Sequence, residues 1–328
     1  MPWSAQSGHI SRSASLLPAG APIGDIDVVE RNGRPLVVCA EYGGGAATWD
    51  PDRDAWAKPS LQPPLDEYPD EEDPDLDCVA AGVSDGRLVV VGGSENHAMV
   101  AWDLESGEVL RHAKEEDEPD VSVTAVEIDG RMCFASGGYG GGIVLWEPSG
   151  AEPTELESDH QESILDLATG SPGGRPMLAA GGYDAMVSVW DLRSGEEVAW
   201  LNAKDVGPVR GVALTSVSGR PVVVAGGESG QVRLWALDTP DRPLLRTLAC
   251  HEDRINALET TTIDGRPLAV TASEDGTIRT WDLAIGQEIG PPKLADTESL
   301  LITHLNETPV VLAGDNEGII RGWHLTTN

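Results

Sequence analysis

Seven tryptophans recur along the chain at intervals of 42 to 53 residues, and each ends the same kind of segment. They are Trp49, Trp102, Trp146, Trp190, Trp235, Trp281 and Trp323. A period of this length indicates an array of similar supersecondary units, because one such unit cannot bury its apolar face alone and must stack on its neighbours. The repeat constrains the fold more than any other feature of the 328-residue chain.

Each copy contains a short apolar run, rich in valine, that follows a turn. Residues 88–91 and 222–225 are two such runs, and the turns before them lie at 85–87 and 218–220. Runs this short are typical of strands covered on both faces, and Asp-Gly or Ser-Gly favours a tight hairpin turn. A second hairpin, as at 273–276, leads into the strand that ends at the tryptophan. The pattern predicts several antiparallel strands and no helix in each copy.

The repeat resembles that of the WD-repeat β-propeller family. The dipeptide that names the family stands at four tryptophans: Trp49-Asp50, Trp102-Asp103, Trp190-Asp191 and Trp281-Asp282. Three copies depart from it: Trp146-Glu147, Trp235-Ala236 and Trp323-His324. About four strands per copy match one propeller blade. The resemblance covers nearly the whole chain and implies an all-β fold, a seven-bladed β-propeller with four antiparallel strands per blade.

The resemblance also implies one domain and places its blades. They are expected at about 20–66, 67–117, 118–160, 161–204, 205–250, 251–297, and 298–328 together with 7–17. The last copy ends soon after Trp323, so it lacks the outer strand of the other copies, and segment 7–17 resembles those outer strands. An open ring would leave unpaired sheet edges. We therefore expect an N-terminal strand to complete the last blade.

The amino-acid composition limits the classes of partner and the cellular compartment that we expect. A formal net charge of −33 argues against binding nucleic acid or anionic membranes, because both interactions need clustered Lys and Arg. Neither a secretory signal nor a membrane-spanning apolar run is evident, and the four cysteines lack metal-ligand spacing. We expect a cytoplasmic protein without a cofactor or metal, either a monomer or part of a hetero-complex. Basic residues that are mostly arginine, together with abundant Ala, Gly and Pro, favour a bacterial source.

The resemblance implies a buried hydrogen-bond chain of His, Ser or Thr, Asp and Trp inside blades that retain those residues. Blade six has His251, Thr271 or Ser273, Asp275 and Trp281, and blade four has His160, Asp184 and Trp190. A catalytic Ser-His-Asp triad would use the same residue types. A buried chain instead satisfies polar groups and specifies packing. We assign these residues a structural role and assign no catalytic residue. The other blades are expected to rely on apolar packing.

By the same resemblance, the residue before the blade's aspartate position lies on the top rim, beside the mouth of the central channel. In chain order these residues are Tyr42, Glu95, Tyr139, Tyr183, Glu228, Glu274 and Asn316. Three of the four tyrosines fall at this position, and tyrosine is frequent at interfaces because it combines a large rigid face with a polar tip. Arg210 and Arg254 are expected to reach the same rim. These residues are our candidate binding site.

The acidic residues are also localised. Eighteen of the 55 lie in three segments, 66–77, 115–120 and 152–162, which connect one blade's outer strand to the next blade's inner strand. The resemblance places such connections on the top face, so blades one to four would present an acidic rim.

Two functions from different classes follow. The favoured one is a non-catalytic protein-interaction scaffold that binds a basic protein or peptide on its acidic top face, through the tyrosines and through Glu95, Glu228 and Glu274. The alternative is an enzyme or small-molecule binder that uses the top-face pocket or central channel. There, Asp25 and Asp166 on the inner strands of blades one and four could act as acid, base or metal ligand.

Overall fold

The computed structural model describes residues 10–11, 21–42, 45–53, 55–57, 61, 76–94, 97–112, 120–148, 150, 152–249 and 251–326. Its strands form seven separate antiparallel sheets. A 3₁₀ turn at Pro172–Gly174 is the only helical segment within these ranges. The all-β prediction is confirmed.

In blades one to six, the strands follow one another in the chain from the channel outward. A short strand before them, β1 (Ile10–Ser11), belongs to blade seven. Blade one contains β2 (Ile23–Arg31), β3 (Arg34–Glu41), β4 (Gly45–Asp50) and β5 (Ala55–Ala57). Blade two contains β6 (Cys78–Ser84), β7 (Arg87–Ser94), β8 (His97–Asp103) and β9 (Val109–His112). Blade three contains β10 (Asp120–Ile128), β11 (Arg131–Gly138), β12 (Ile143–Trp146) and β13 (Thr154–Leu156).

The remaining blades repeat this order. Blade four contains β14 (Ile164–Gly170), β15 (Met177–Gly182), β16 (Met186–Asp191) and β17 (Glu196–Asn202). Blade five contains β18 (Val209–Val217), β19 (Arg220–Gly227), β20 (Gln231–Ala236) and β21 (Leu244–Ala249). Blade six contains β22 (Ile255–Ile263), β23 (Arg266–Ser273), β24 (Thr277–Asp282), β25 (Gln287–Glu288) and β26 (Lys293–Leu294). Blade seven contains β27 (Ser299–Leu305), β28 (Thr308–Gly314) and β29 (Ile320–His324).

The inner strands form a closed ring. Each of β2, β6, β10, β14, β18, β22 and β27 contacts the next, and β27 contacts β2. The N-terminal strand β1 pairs with β29, with Ile10 opposite Gly322 and Ser11 opposite Arg321. This confirms that an N-terminal strand completes the last blade, although residues 7–9 and 12–17 of the expected segment lie outside the described residues. In blade six the outer strand is split, since β25 and β26 both pair with β24.

The repeat tryptophans are buried in the wedges between blades. Trp190 of blade four packs with Ile128 and Leu156 of blade three, and Trp102 of blade two packs with Val38 of blade one. The other five are buried in the same way against the preceding blade. A ring of flat sheets diverges outward, so each interface needs a large apolar side chain to reach close packing. The tryptophan period in the sequence is therefore the period of these interfaces.

The acidic residue after the tryptophan accepts hydrogen bonds from the turn that follows it and from an arginine of the same blade. In blade four the Asp191 carboxylate accepts the backbone N–H groups of Arg193 and Ser194, and Arg175 donates to its other oxygen at 2.6 Å. Comparable arginine–acid pairs occur within blades six, three and five: Arg266–Asp282, Arg131–Glu147 and Arg220–Asp238. Blades three and five, which lack the buried histidine set, therefore use ion pairs as well as the expected apolar packing.

Candidate functional site

The rim residues are held beside the channel mouth by the backbone. Strands alternate in direction within each blade, so the end of the second strand and the start of the inner strand lie at the same edge. Four rim residues donate their backbone N–H to the carbonyl just before or at the start of the inner strand: Tyr42 to Pro22 at 3.1 Å, Tyr183 to Ser163 at 2.8 Å, Glu228 to Pro208 at 3.2 Å and Glu274 to Arg254 at 3.1 Å. This shared hydrogen bond fixes the predicted rim position in blades one, four, five and six.

The three rim tyrosines are exposed. Their exposed fractions are 42% for Tyr42, 40% for Tyr139 and 53% for Tyr183. The Tyr42 ring lies over Gly24 on β2, where an added Cβ would stand 3.1 Å from the ring carbons. The Tyr139 carbonyl accepts a hydrogen bond from the Ser163 hydroxyl, which ties the turn of blade three to the entrance of blade four. Aromatic faces are thus presented around the channel mouth from three blades.

The rim glutamates of blades five and six are already ion-paired. The Arg210 guanidinium donates to Glu228 at 2.7 Å, and Arg254 donates to Glu274 at 2.7 Å. Asn256 donates to the same Glu274 oxygen at 3.3 Å. The structure therefore brings both predicted arginines to the rim, and it places Glu228 and Glu274 in intramolecular pairs. Glu95 lies outside the described residues.

The rim of blade seven ends in a polar turn. Asn316 is exposed there, and the preceding Asp315 accepts the backbone N–H groups of Glu317 and Ile319 through one oxygen. Arg321 donates to the other oxygen at 3.1 Å. Asp315 thus closes a turn in a blade whose predicted aspartate position holds Glu317.

Of the three acidic segments, 152–162 is described as a whole. It holds strand β13 and the connection to blade four, and its five acidic residues are all exposed: Glu152, Glu155, Glu157, Asp159 and Glu162. Most of 66–77 and 115–120 lies outside the described residues. The end of this segment is therefore close to Tyr139 and Tyr183, because the next residue, Ser163, is hydrogen-bonded to both.

Below the rim, the central channel encloses a cavity of about 530 Å³. Its wall includes both sequence candidates, Asp25 and Asp166, and two further acids, Asp27 and Glu259. None of the four forms a salt bridge with any residue that the structure describes. The sequence analysis did not identify Asp27 or Glu259. Asp27 lies two residues after Asp25 on β2, and Glu259 lies at the position of β22 that corresponds to Asp27. Side chains two residues apart on a strand lie on the same face, and this spacing could have identified Asp27.

Three of these carboxylates join neighbouring blades. Asp25 accepts the N–H of Val79 at 2.9 Å, and Asp27 accepts that of Ala81 at 2.8 Å, both on β6. Asp166 accepts the N–H of Val212 on β18 at 2.7 Å. Inner strands of adjacent blades do not pair as a sheet, so these side chains satisfy backbone donors that face the channel.

Burial raises the pKa of each of these four carboxyls. The pKa is about 7 for Asp25, about 6 for Asp27, and about 8 for both Asp166 and Glu259. Desolvation is the largest cause in each case, and repulsion among the carboxylates raises the pKa further for Asp25, Asp166 and Glu259. The backbone N–H donors oppose the rise. The channel therefore holds ionisable groups that change charge near neutral pH.

The buried histidine chains form within blades four and six. The His160 Nδ1–H donates to Asp184 at 3.0 Å, and Ser188 donates to Nε2 at 2.7 Å. Burial lowers the pKa of His160 even though Asp184 opposes this, so the ring is neutral at pH 7. Trp190, by contrast, donates from its indole nitrogen to the Glu157 carbonyl.

Blade six contains the fuller chain. His251 donates to Asp275 at 2.9 Å and accepts from Thr271 at 2.7 Å, and Trp281 donates to the same hydroxyl at 3.1 Å. Ser273, the alternative member, donates to the Asp253 carbonyl instead. Thr271 is fully buried, as is Ser188 in the other chain. A hydroxyl in such a position cannot reach a substrate, so the geometry suits a structural chain.

No group of three or more His, Cys, Asp or Glu side chains within the described ranges is arranged to hold a metal ion. In the part of the chain that the structure describes, no helix is long and apolar enough to cross a membrane.

Two segments of the chain match the family model of the WD domain, G-beta repeat: residues 153–191 and 242–282. These segments contain the histidine chains of blades four and six. No curated protein matches the chain. The family matches and the seven four-stranded blades together support a WD-repeat propeller. Propellers of this type are generally protein-interaction scaffolds.

Proposed function

We propose that this protein is a non-catalytic scaffold of one domain that binds a basic protein or peptide on its top face. The observation that carries the proposal is the placement of Tyr42, Tyr139 and Tyr183 at equivalent exposed positions around one channel mouth. An exposed aromatic side chain of this kind is a typical interface anchor, because it buries much area at a small cost in conformational entropy. The setting we propose is the cytoplasm of a bacterium.

Charge supports a basic partner and indicates where it would lie. The acids of 152–162 are exposed, and Ser163, which follows that segment, is hydrogen-bonded to both Tyr139 and Tyr183. Glu228 and Glu274, by contrast, are paired with Arg210 and Arg254. Unpaired negative charge is therefore available to a basic partner on the side of blades three and four. Complementary charge would speed encounter with a basic partner and would weaken in salt.

The test must separate the rim from general attraction to a chain of charge −33. A fluorescent lysine- and arginine-rich peptide is titrated into the full chain and followed by anisotropy. Tyr139→Ala and Tyr183→Ala leave the charge unchanged, and each is expected to weaken binding about five- to tenfold, as for an interface anchor. The matched control is Ile285→Ala, because Ile285 has the same 53% exposure as Tyr183 but lies in a turn at the opposite edge of its blade.

Equal affinity for the wild type and both tyrosine variants would contradict the proposal, because charge alone would then account for binding. An equal loss in Ile285→Ala would also contradict it. The expected salt response is a fall in affinity as ionic strength rises, with the ratio between wild type and tyrosine variants preserved.

A further inference from the structure

The four channel carboxylates lie in two layers that the strand register defines. Asp25 and Asp166 pair with Ala40 and Gly181, each two residues before a rim tyrosine. Asp27 and Glu259 pair with Val38 and Val270, each four residues before a rim residue. The upper layer therefore contains Asp25 and Asp166, and the lower layer contains Asp27 and Glu259. Two residues of strand separate the layers by roughly 6.5 Å along the channel.

Among the described residues that line the channel, Arg210 is the only basic one, and its guanidinium is paired with Glu228 at the mouth. Arg254, on the rim of the next blade, is paired with Glu274. Two further acids, Asp77 and Glu298, also line the cavity. The potential inside a low-dielectric channel walled by one sign of charge is focused toward the axis, which favours a cation there.

A second, independent observation comes from Ser299. It occupies the upper-layer position of blade seven, pairing with Gly314 two residues before Asn316, and it lines the same cavity. Ser299 is 4% exposed, and its hydroxyl oxygen has no hydrogen-bond partner among the described residues. At the same position Asp25, Ser122 and Asp166 each accept an N–H from the next blade. In blade seven the corresponding donor, the N–H of Ile26, is taken by Asp25. A buried hydroxyl without a hydrogen-bond partner costs free energy, and a ligand that hydrogen-bonds to it would remove that cost.

From these observations we propose that the channel binds a linear aliphatic diamine, with one ammonium group at the upper layer near Asp25, Asp166 and Ser299 and the other at the lower layer near Asp27 and Glu259. An alkyl chain of four or five methylenes spans a length close to the separation of the layers. The cavity of about 530 Å³ is large enough for such an ion. This site is separate from the tyrosine rim, and diamine binding there does not depend on whether the rim binds a basic partner.

Binding of the dication also has a proton signature. The raised pKa values mean that some channel carboxyls hold a proton near pH 7. An ammonium group favours their ionised form, so binding releases protons and tightens as the pH rises from 6 to 8. A cation attracted only to exposed surface acids would release none.

The experiment is a calorimetric titration of 1,4-diaminobutane into the full chain, in buffers of different ionisation enthalpy. The expected result is saturable one-to-one binding with proton release and an affinity that rises about tenfold between pH 6 and pH 8. Glu259→Gln is the test variant, because the backbone donor to Glu259 is Thr260 of its own strand, and no hydrogen bond joins it to another blade among the described residues. It is expected to weaken binding at least tenfold. Glu252→Gln removes the same charge from an exposed position and is expected to bind as the wild type does.

Two comparison ligands test whether binding needs charge and whether it needs two ammonium groups. 1,4-Butanediol has the same length without charge and is expected not to bind. N-acetyl-lysinamide carries the single ammonium of a protein side chain and is expected to bind at least tenfold more weakly than the diamine. The proposal is overturned if no saturable binding occurs, if Glu259→Gln and Glu252→Gln behave alike, or if N-acetyl-lysinamide binds as tightly as the diamine.

Discussion

Replacing Glu259 by glutamine should stabilise the protein in alkaline solution. The carboxyl is partly exposed to the channel and surrounded by other acids, so its pKa is raised from 4.5 to about 8. Below about pH 4.5 this carboxyl is neutral in both the folded and the unfolded chain. As the pH rises toward 8 the unfolded chain is ionised, whereas the folded protein must keep the proton or bury the charge. The stability that the raised pKa provides at low pH is therefore lost as the pH rises through the folded pKa.

The magnitude follows from the pKa change. A rise of this size corresponds to about 4–5 kcal/mol at roughly 1.36 kcal/mol per unit. Part of the rise comes from Asp166, Asp27 and Asp25, and the channel is open to solvent, so we expect about 2 kcal/mol for the substitution at pH 8.5. Glutamine has nearly the same shape and its amide oxygen can still accept the Thr260 N–H. The expected rise in Tm is roughly 2–5 °C.

The assay is thermal unfolding followed by tryptophan fluorescence at pH 5 and pH 8.5. Wild type, Glu259→Gln and Glu252→Gln are compared, since the last removes an equal charge from the surface. The rise in Tm should occur only for Glu259→Gln and only at pH 8.5. A lower Tm at pH 8.5, or an equal rise in Tm at both pH values, would show that burial of the ionised Glu259 carboxylate does not destabilise the folded protein.

Two further predictions concern the scaffold. His251→Ala removes the link between Asp275 and Thr271 and leaves both buried groups without it, so we expect a loss of about 2–4 kcal/mol in the free energy of unfolding, measured by urea denaturation. The exposed His304→Ala is the control, and an equal loss there would argue against the buried chain. Deletion of residues 1–17 removes the strand that pairs with β29, so scanning calorimetry should show a clearly lower Tm, and an unchanged melt would show that this strand does not close the ring.

The blade count and the closing strand could be predicted from the sequence because one side chain marks each repeat. A tryptophan is the largest side chain available to fill the wedge between two blades, so its period reports the interfaces directly. The rim tyrosines were found for the same reason. They hold a fixed place in each repeat, and Tyr183, for example, is tied by its backbone to Ser163 at the entrance of the inner strand of its own blade.

The channel acids could be predicted only in part, because their environment depends on the closed ring. Glu259 stands between Leu258 and Thr260 and has the local pattern of a residue on a solvated strand face. Only the ring turns that face toward other acids and raises its pKa. The pairing of Arg210 with Glu228 has a similar origin, since it joins a side chain of β18 to one in the turn after β19, and the sequence does not specify the register of these two strands.

Hydrogen exchange of the full chain, with and without the lysine- and arginine-rich peptide, locates the bound surface without any substitution. If the top face binds the peptide, exchange slows at the turns that carry Tyr42, Tyr139 and Tyr183 and in the connection 157–163. The turns at the opposite edge, such as 192–195 and 284–286, should be unchanged. Protection confined to that opposite edge, or spread evenly over the acidic surface, would contradict the claim that the top face is the binding face.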